Sequence, residues 1–442
     1  MEFWIKAAQL FLSLSILIIL HELGHFIPAK LFKTRVEKFY LFFDAGFSLF
    51  KITKGGTEYG IGWIPLGGYV KISGMIDESM DKDAMKEEPK PWEFSSKPTW
   101  QRLIIMIGGV VVNVILGFVI YSGILMHWGE KVLPSQNVTY GMHVDSLMTQ
   151  YGFQDGDKIL KLDGKEIENI DGIGKYLMLD DIKTVTVARN STTKDLSLPE
   201  DFGQLMLDNG VKRPFQLRFP VVVEQVAVGS NAEEAGLMNG DSIVSVDGLD
   251  KSFFNDFSTY LHSHEEQEIQ LGAYRNGQQI TIPVNVTAEG TIGFIPKQPL
   301  SYFNLKHKEY SFFEAIPRAI SKVKETVTSY FFSLKFIFSK SGIKQLGSFG
   351  TFGDQFAPSW DWEVFWEKTA LFSLILAVMN ILPIPALDGG HVMFLIYEMI
   401  TGKPPKEKFM ERAQMVGMIL LLTLMVYALG NDLWRFVISK YF

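Results

Sequence analysis

The sequence predicts a multi-domain integral membrane protein. It reads as four transmembrane helices, a membrane-associated β-hairpin region, and a large α+β region set between the second and third spans. Three observations carry this. Four stretches approach the roughly 20 apolar residues that a bilayer crossing requires. The 442-residue chain is 47% hydrophobic, yet a long middle stretch has ordinary globular composition. That middle stretch contains an internal repeat, the mark of duplicated folding units.

The apolar stretches run over residues 7–31, 103–127, 365–382 and 416–438. A secretory signal is excluded for the first: Glu2 precedes it, no Ala-x-Ala site follows, and three ionisable residues sit inside it. Basic residues flank the spans unevenly. Lys30, Lys33, Arg35 and Lys38 follow the first, Lys97 and Arg102 precede the second, and Lys403, Lys406, Lys408 and Arg412 join the third to the fourth. By the positive-inside rule both basic loops are expected in the cytoplasm, with the termini and residues 129–362 on the other side. Net charge is -7, so no basic face for nucleic acid is expected. With no cysteine, any metal must be held by His and carboxylate.

Residues 44–73 (DAGFSLFKITKGGTEYGIGWIPLGGYVKIS) alternate apolar residues with glycine pairs, a strand-and-hairpin pattern too short to span. Two readings are open: a cytoplasmic hairpin, or a sheet dipping into the membrane where protein or water satisfies its backbone. Residues 77–93 are charged and Pro-bearing, and read as a linker.

The repeat aligns Gly152 to Gly164 (GFQDGDKILKLDG) with Gly236 to Gly248 (GLMNGDSIVSVDG) without gaps. In each copy Gly-Asp opens a strand and Asp-Gly closes it with a tight turn. The pattern resembles the PDZ domain in its circularly permuted form, strengthened in the second copy by Ser230, Ala232, Ala235 and Leu237. Met148 and Tyr151 stand in place of those alanines in the first. PDZ domains capture peptides or a C-terminal carboxylate at a sheet edge; two structural spacers are the alternative. Residues 311–340 have apolar positions three and four apart with lysines opposite, as in a helix lying on a membrane or packed on the repeat pair.

His21-Glu22-Leu23-Gly24-His25 lies within the first span. Histidines four apart share a helical face, so both imidazoles can reach one ion, with Glu22 placed to take a proton from its water. Ionisable groups in a span are expensive and mark function. A catalytic zinc takes three protein ligands. The candidate third is Asp388, in the stretch Asn380 to His391 (NILPIPALDGGH), where Pro383 and Pro385 break the helix. Asp388 could equally be an N-cap for a helix beginning near Val392.

HExxH in the first span together with NxxPxPxLDGG in a later one resembles the site-2 protease family, over essentially the whole chain. The resemblance implies an intramembrane zinc metalloprotease that cuts single-span proteins, by likeness anti-sigma factors or remnant signal peptides. It implies zinc on His21, His25 and Asp388, Glu22 as general base, and Asn380 on the substrate backbone or oxyanion. Pro383, Pro385, Gly67 and Gly68 are then expected at the substrate. It also implies a bacterial inner-membrane protein with PDZ domains and both termini in the periplasm and the active site near the cytoplasmic side. The bilayer and transmembrane substrates are the expected partners. The family's Gly-Pro-x-x-Asn motif is met only by Gly109 and Asn113, with Val110 at the proline, and its Ser-Gly-Pro motif is replaced by Gly347 to Gly350 (GSFG).

The expected division is 1–32, first span; 33–101, loop with the β region; 102–128, second span; 129–215 and 216–300, the PDZ-like pair; 301–362, helical region. Residues 363–390 are then the third span with its LDG motif, 391–412 a connection, and 413–442 the fourth span. A metal or proton transporter is a competing reading, which four spans without an inverted repeat suit poorly. A silent scaffold is another, which has no need of these ionisable residues.

Overall fold

The computed structural model describes residues 2–65, 67–75, 90–211, 213–337, 347–436 and 438; most of the expected 77–93 linker lies outside them. The chain divides into two compact units, residues 1–129 with 309–442, and residues 130–308.

In the first unit, four helices are long and apolar enough to cross a membrane: α1 (Glu2–Leu31), α2 (Thr99–His127), α10 (Trp362–Ile381), and Lys408–Arg435 within α12 (Glu407–Phe436). Glycine lets the first two meet closely. A Cβ on Gly24 of α1 would stand 2.4 Å from the Gly108 carbonyl oxygen of α2. Polar side chains tie these helices where water is absent. Thr369 donates to Ser13 at 2.9 Å, and Ser373 donates to the Asn113 carbonyl at 2.7 Å. Leu17, Phe356, Phe365 and Phe372 fill the space beside them.

Helix α12 makes less contact with the rest of the unit. Asp432 near its end accepts from the amides of Ser348, Gly350 and Thr351 and from two hydroxyls, at the start of the short helix α9 (Phe349–Asp354). Helix α8 (Phe312–Ile337) covers the predicted amphipathic stretch. It buries Ala315 and Ala319 against Ile120, Tyr121 and Ile124 of α2 and Leu374 of α10. Part of its apolar surface is therefore used against spanning helices, while Phe313, Ile320 and Phe331 stay exposed.

Between α1 and α2 lies a four-stranded sheet of order β2-β3-β1-β4, with β1 (Val36–Leu41), β2 (Phe50–Lys54), β3 (Thr57–Ile61) and β4 (Tyr69–Ile72). It begins eight residues or so before the predicted region, because β1 is part of it. That strand was illegible as one: Lys38 interrupts its apolar alternation, and is met in the fold by Asp44 at 3.2 Å. Strand β4 is an edge. The stretch 391–412, expected as a connection, is largely helix: α11 (Asp388–Thr401) buries Val392, Phe394 and Leu395 and closes at Gly402 in the left-handed region.

The second unit contains two cores. One gathers Met148, Phe153, Ile159, Leu177 and Val187; the other gathers Val221, Ile243, Phe257, Leu271 and Ala273. The first module has a sheet of order β10-β9-β7-β8, from β7 (Lys158–Leu162), β8 (Lys165–Glu166), β9 (Thr184–Arg189) and β10 (Thr192–Ser197). The second has β16-β15-β13-β12-β17, from β12 (Val221–Val226), β13 (Ser242–Val246), β15 (Glu268–Arg275), β16 (Gln278–Asn285) and β17 (Phe294–Pro296), with β14 (Leu249–Asp250) on β13. Residues 301–308, expected to open the helical region, belong here. Phe303 is buried in the first core, and β18 (Lys306–Lys308) pairs with β5 (Glu130–Val132).

The two repeat copies share a device that the aligned window does not contain. Arg189 of β9 grips Asp157 through Nε and Nη2, each at 2.7 Å, and reaches the Gly152 carbonyl. Arg275 of β15 does the same to Asp241 at 2.8 and 2.7 Å and reaches Gly236. Burial pushes the Asp241 carboxyl up, but the Arg275 hydrogen bonds and the Met238 amide outweigh it and hold the group below the usual carboxylate range. Two-point bonding of this kind fixes a strand's register as well as its charge.

Candidate metal centre

Helix α1 supplies two donors on one face. His21 Nε2 and His25 Nε2 stand 3.3 Å apart. The third donor comes from far along the chain. Helix α10 ends at Ile381, before Pro383, and a short loop leads to Asp388, the first residue of α11. Leu387 occupies the N-cap and Asp388 makes no cap, so the capping alternative is set aside. Asp388 Oδ2 instead lies 3.3 Å from both histidine Nε2 atoms.

These three atoms form an equilateral triangle, and its size tests the metal. Tetrahedral zinc holds such ligands at about 2.0–2.1 Å, which spaces them about 3.3–3.4 Å apart. Oδ2 is buried and receives no hydrogen bond. The neighbouring imidazoles cannot both satisfy it, because His25 already directs Nδ1 at the Ile105 carbonyl, 2.8 Å away. The proton of a neutral His25 is thus on Nδ1, leaving Nε2 bare for an ion. The donor set suits zinc.

His21 has its own partner behind it. Asn113 of α2, fully buried, places its amide 3.2 Å from His21 Nδ1, and its Oδ1 has no partner in the orientation drawn. Oxygen and nitrogen of an amide are assigned from the network. Turned over, Asn113 Oδ1 accepts from Nδ1–H, which puts His21 in the same tautomer as His25 and leaves the amide nitrogen in the position without a partner. Gly109 makes room for this: a Cβ there would lie 2.5 Å from His25 Nε2 and 2.6 Å from His21 Cε1.

The remaining predicted positions divide. Asn380, in the last turn of α10, places Nδ2 3.2 Å from His21 Nε2, beside the trio. Gly68 runs against α1, where a Cβ would meet Ile18 at 2.5 Å and the Glu22 side chain at 3.4 Å. The start of β4 therefore lies alongside Glu22. Gly67 packs on Phe43 instead. Pro385 serves as a contact for Gly390 and for Gly417 of α12, and Pro383 lies in the turn between α10 and α11.

Sequence reasoning left several residues out of the site. Gly109 and Asn113 were visible only as an incomplete motif, and the Ile105 carbonyl carries no sequence signal. Ala386 is another: it has φ +76°, a conformation unfavourable for a residue with a Cβ, two positions before Asp388. Only the fold reveals that turn.

A family model described as Peptidase family M50 matches residues 9–424 of the chain. The regulator of sigma-E protease RseP of Salmonella typhimurium is 31% identical over 452 residues, covering 97% of this chain and 98% of its own. The protein of the same name in Escherichia coli K12 is 30% identical with the same coverage. A protein of Neisseria meningitidis named as a zinc metalloprotease is 28% identical, covering 96% of this chain and 97% of its own.

Proposed function

Since the chain belongs to peptidase family M50 and is a zinc metalloprotease of the membrane, we propose that it hydrolyses peptide bonds within the spanning helices of other, single-span membrane proteins. The observation that carries this is the 3.3 Å triangle of His21 and His25, on a helix long and apolar enough to cross a membrane, with Asp388 at the start of α11. Bound zinc supplies Lewis-acid activation of water at neutral pH. Glu22 takes the proton of the attacking water and later gives it to the leaving amine. Asn380 donates its amide to the substrate carbonyl, opposing the charge that grows there.

A helical peptide bond is shielded by its own turn, so the substrate must be unwound before attack. The unwound segment pairs with the free edge of β4, whose approach to Glu22 at Gly68 supports the role. Proline at Val70, whose N–H alternates away from β1, is expected to slow cleavage while leaving the fold and zinc content intact. Unchanged rates in the folded variant would refute the edge-pairing.

By their repeat and strand pattern we read the two modules, about 129–215 and 216–300, as circularly permuted PDZ domains on the periplasmic side of a bacterial inner membrane. In that place they screen substrates, excluding those with bulky outer domains; anti-sigma factors and remnant signal peptides are the candidates by likeness to the relatives. Excising the unit is expected to let long substrates be cut. If the preference for short ones survives excision, the filter lies elsewhere.

The protease reading itself is tested with the purified chain and a single-span model substrate. Cleavage is expected, lost on chelation and restored by adding zinc. Cleavage that persists in fully zinc-stripped protein defeats it.

A further inference from the structure

We infer that His143, Asp155 and Asp256 form a second divalent-metal site, of zinc type, that clasps the two modules of the 130–308 unit together. Candidate ligand atoms of the three lie within 4.8 Å of one another. They come from three places: β6 (Met142–Val144), the turn just before Asp157, and the first turn of α7 (Phe254–Ser263). The first two belong to the first module and the third to the second.

The arrangement is partly built before any ion arrives. Asp155 Oδ1 accepts the Val144 amide at 2.7 Å, which fixes its carboxylate, and His143 Nδ1 lies 3.1 Å from Oδ1 and 3.2 Å from Oδ2. Asp256 is steadied by Arg218 at 3.5 Å, whose guanidinium lies 3.8 Å above the Phe253 ring. Arg218 offsets one of the two carboxylates. Among the described residues no lysine or arginine pairs with Asp155, which has the His143 imidazole beside it.

An imidazole with two carboxylates is a donor set for zinc; calcium would call for six or more oxygens. The side chains are 26%, 37% and 30% exposed, so an ion can reach them from solvent. His143 also lines a cavity of about 870 Å³ between the modules. An ion across the three residues fixes the two modules relative to each other and so sets the width of that cavity.

The experiment uses the full-length chain in detergent, stripped with a chelator, reloaded with zinc chloride, desalted, and assayed for zinc per chain. The parent is expected to hold about two ions, and His143→Gln and Asp256→Asn about one each. His21→Ala is also expected to hold about one, and the His21→Ala, His143→Gln double variant close to none. The two sites are thereby scored separately, whatever the protease activity. Zinc is expected to raise the melting temperature of His21→Ala but not of the double variant, and calcium to leave both unchanged. Equal zinc in the parent and in both His143→Gln and Asp256→Asn overturns the site. So does a parent that holds one ion while its stability depends on His143 and pH alone, which would make the clasp a proton.

Discussion

Glu22→Gln should lower cleavage of a single-span substrate by roughly 10³-fold, within the 10²–10⁴ range for loss of a positioned acid–base group. The substitution preserves shape and removes only the ability to hold and return a proton. His21, His25 and Asp388 are untouched, so zinc per chain should equal that of the parent. Initial rates in detergent, paired with metal analysis of the same samples, check both halves. A near-parental rate would mean that another group moves the proton. Loss of zinc along with the rate would mean that Glu22 supports the site and does not act in the chemistry. Glu22 meets the start of β4 through Gly68, so the strand proposed to receive the substrate and the proposed base are brought together by one glycine.

Gly109→Ala should reduce cleavage by about 10²-fold, the cost of displacing a reacting constellation by about 1 Å, and weaken zinc binding by about 10–100-fold. The added methyl would stand 2.5 Å from His25 Nε2 and 2.8 Å from His21 Nδ1. Neither ring can retreat freely: one is bonded to the Ile105 carbonyl and the other to Asn113. Gly123, in the same helix with open space around it, provides the control. Gly123→Ala should leave rate and zinc affinity unchanged and add up to about 1 kcal/mol of helix stability. Equal behaviour of the two variants would show that the helix tolerates the methyl by shifting as a whole.

What the sequence disclosed follows from the range of each signal. His21 and His25 were legible because four residues along a helix return to the same face, a local rule. Asp388 was legible from its own segment only as one of two readings, ligand or N-cap, and the pattern shared with a known family chose between them, since no local rule ties it to residues more than 360 positions earlier. Asn113 and Gly109 act through the crossing of α1 and α2, and crossing geometry is not written in either segment alone. Strand β1 was missed because its polar face is answered by Asp44 and Glu58, partners met only in the folded sheet. Helix α11 entered only through the capping alternative, as a helix beginning near Val392, and its stretch was otherwise given as a connection because its apolar run is too short to span. The arginines of the repeat were missed because the segments between ion-pair partners differ in length: 32 residues in the first copy and 34 in the second.

That last pair of bonds has a consequence for how the chain reaches its fold. Arg189 and Arg275 are the same plug, and Asp157 and Asp241 the same socket, within one continuous polypeptide. A crossed connection of Arg189 to Asp241 closes a loop of about 50 residues, which loop entropy disfavours by only about 0.4 kcal/mol relative to the correct one. The other crossing, Asp157 to Arg275, is disfavoured by about 1 kcal/mol. Chain topology therefore hardly discriminates between right and wrong wiring, and the ion pair does not discriminate at all. The choice falls to the side chains around it: Phe153, Met148 and Leu177 in one core, Leu237, Phe257 and Leu271 in the other. Tandem duplicates are prone to misassembly of this kind, and the two halves are told apart by different core side chains, such as Phe153 in one where the aligned position of the other holds Leu237.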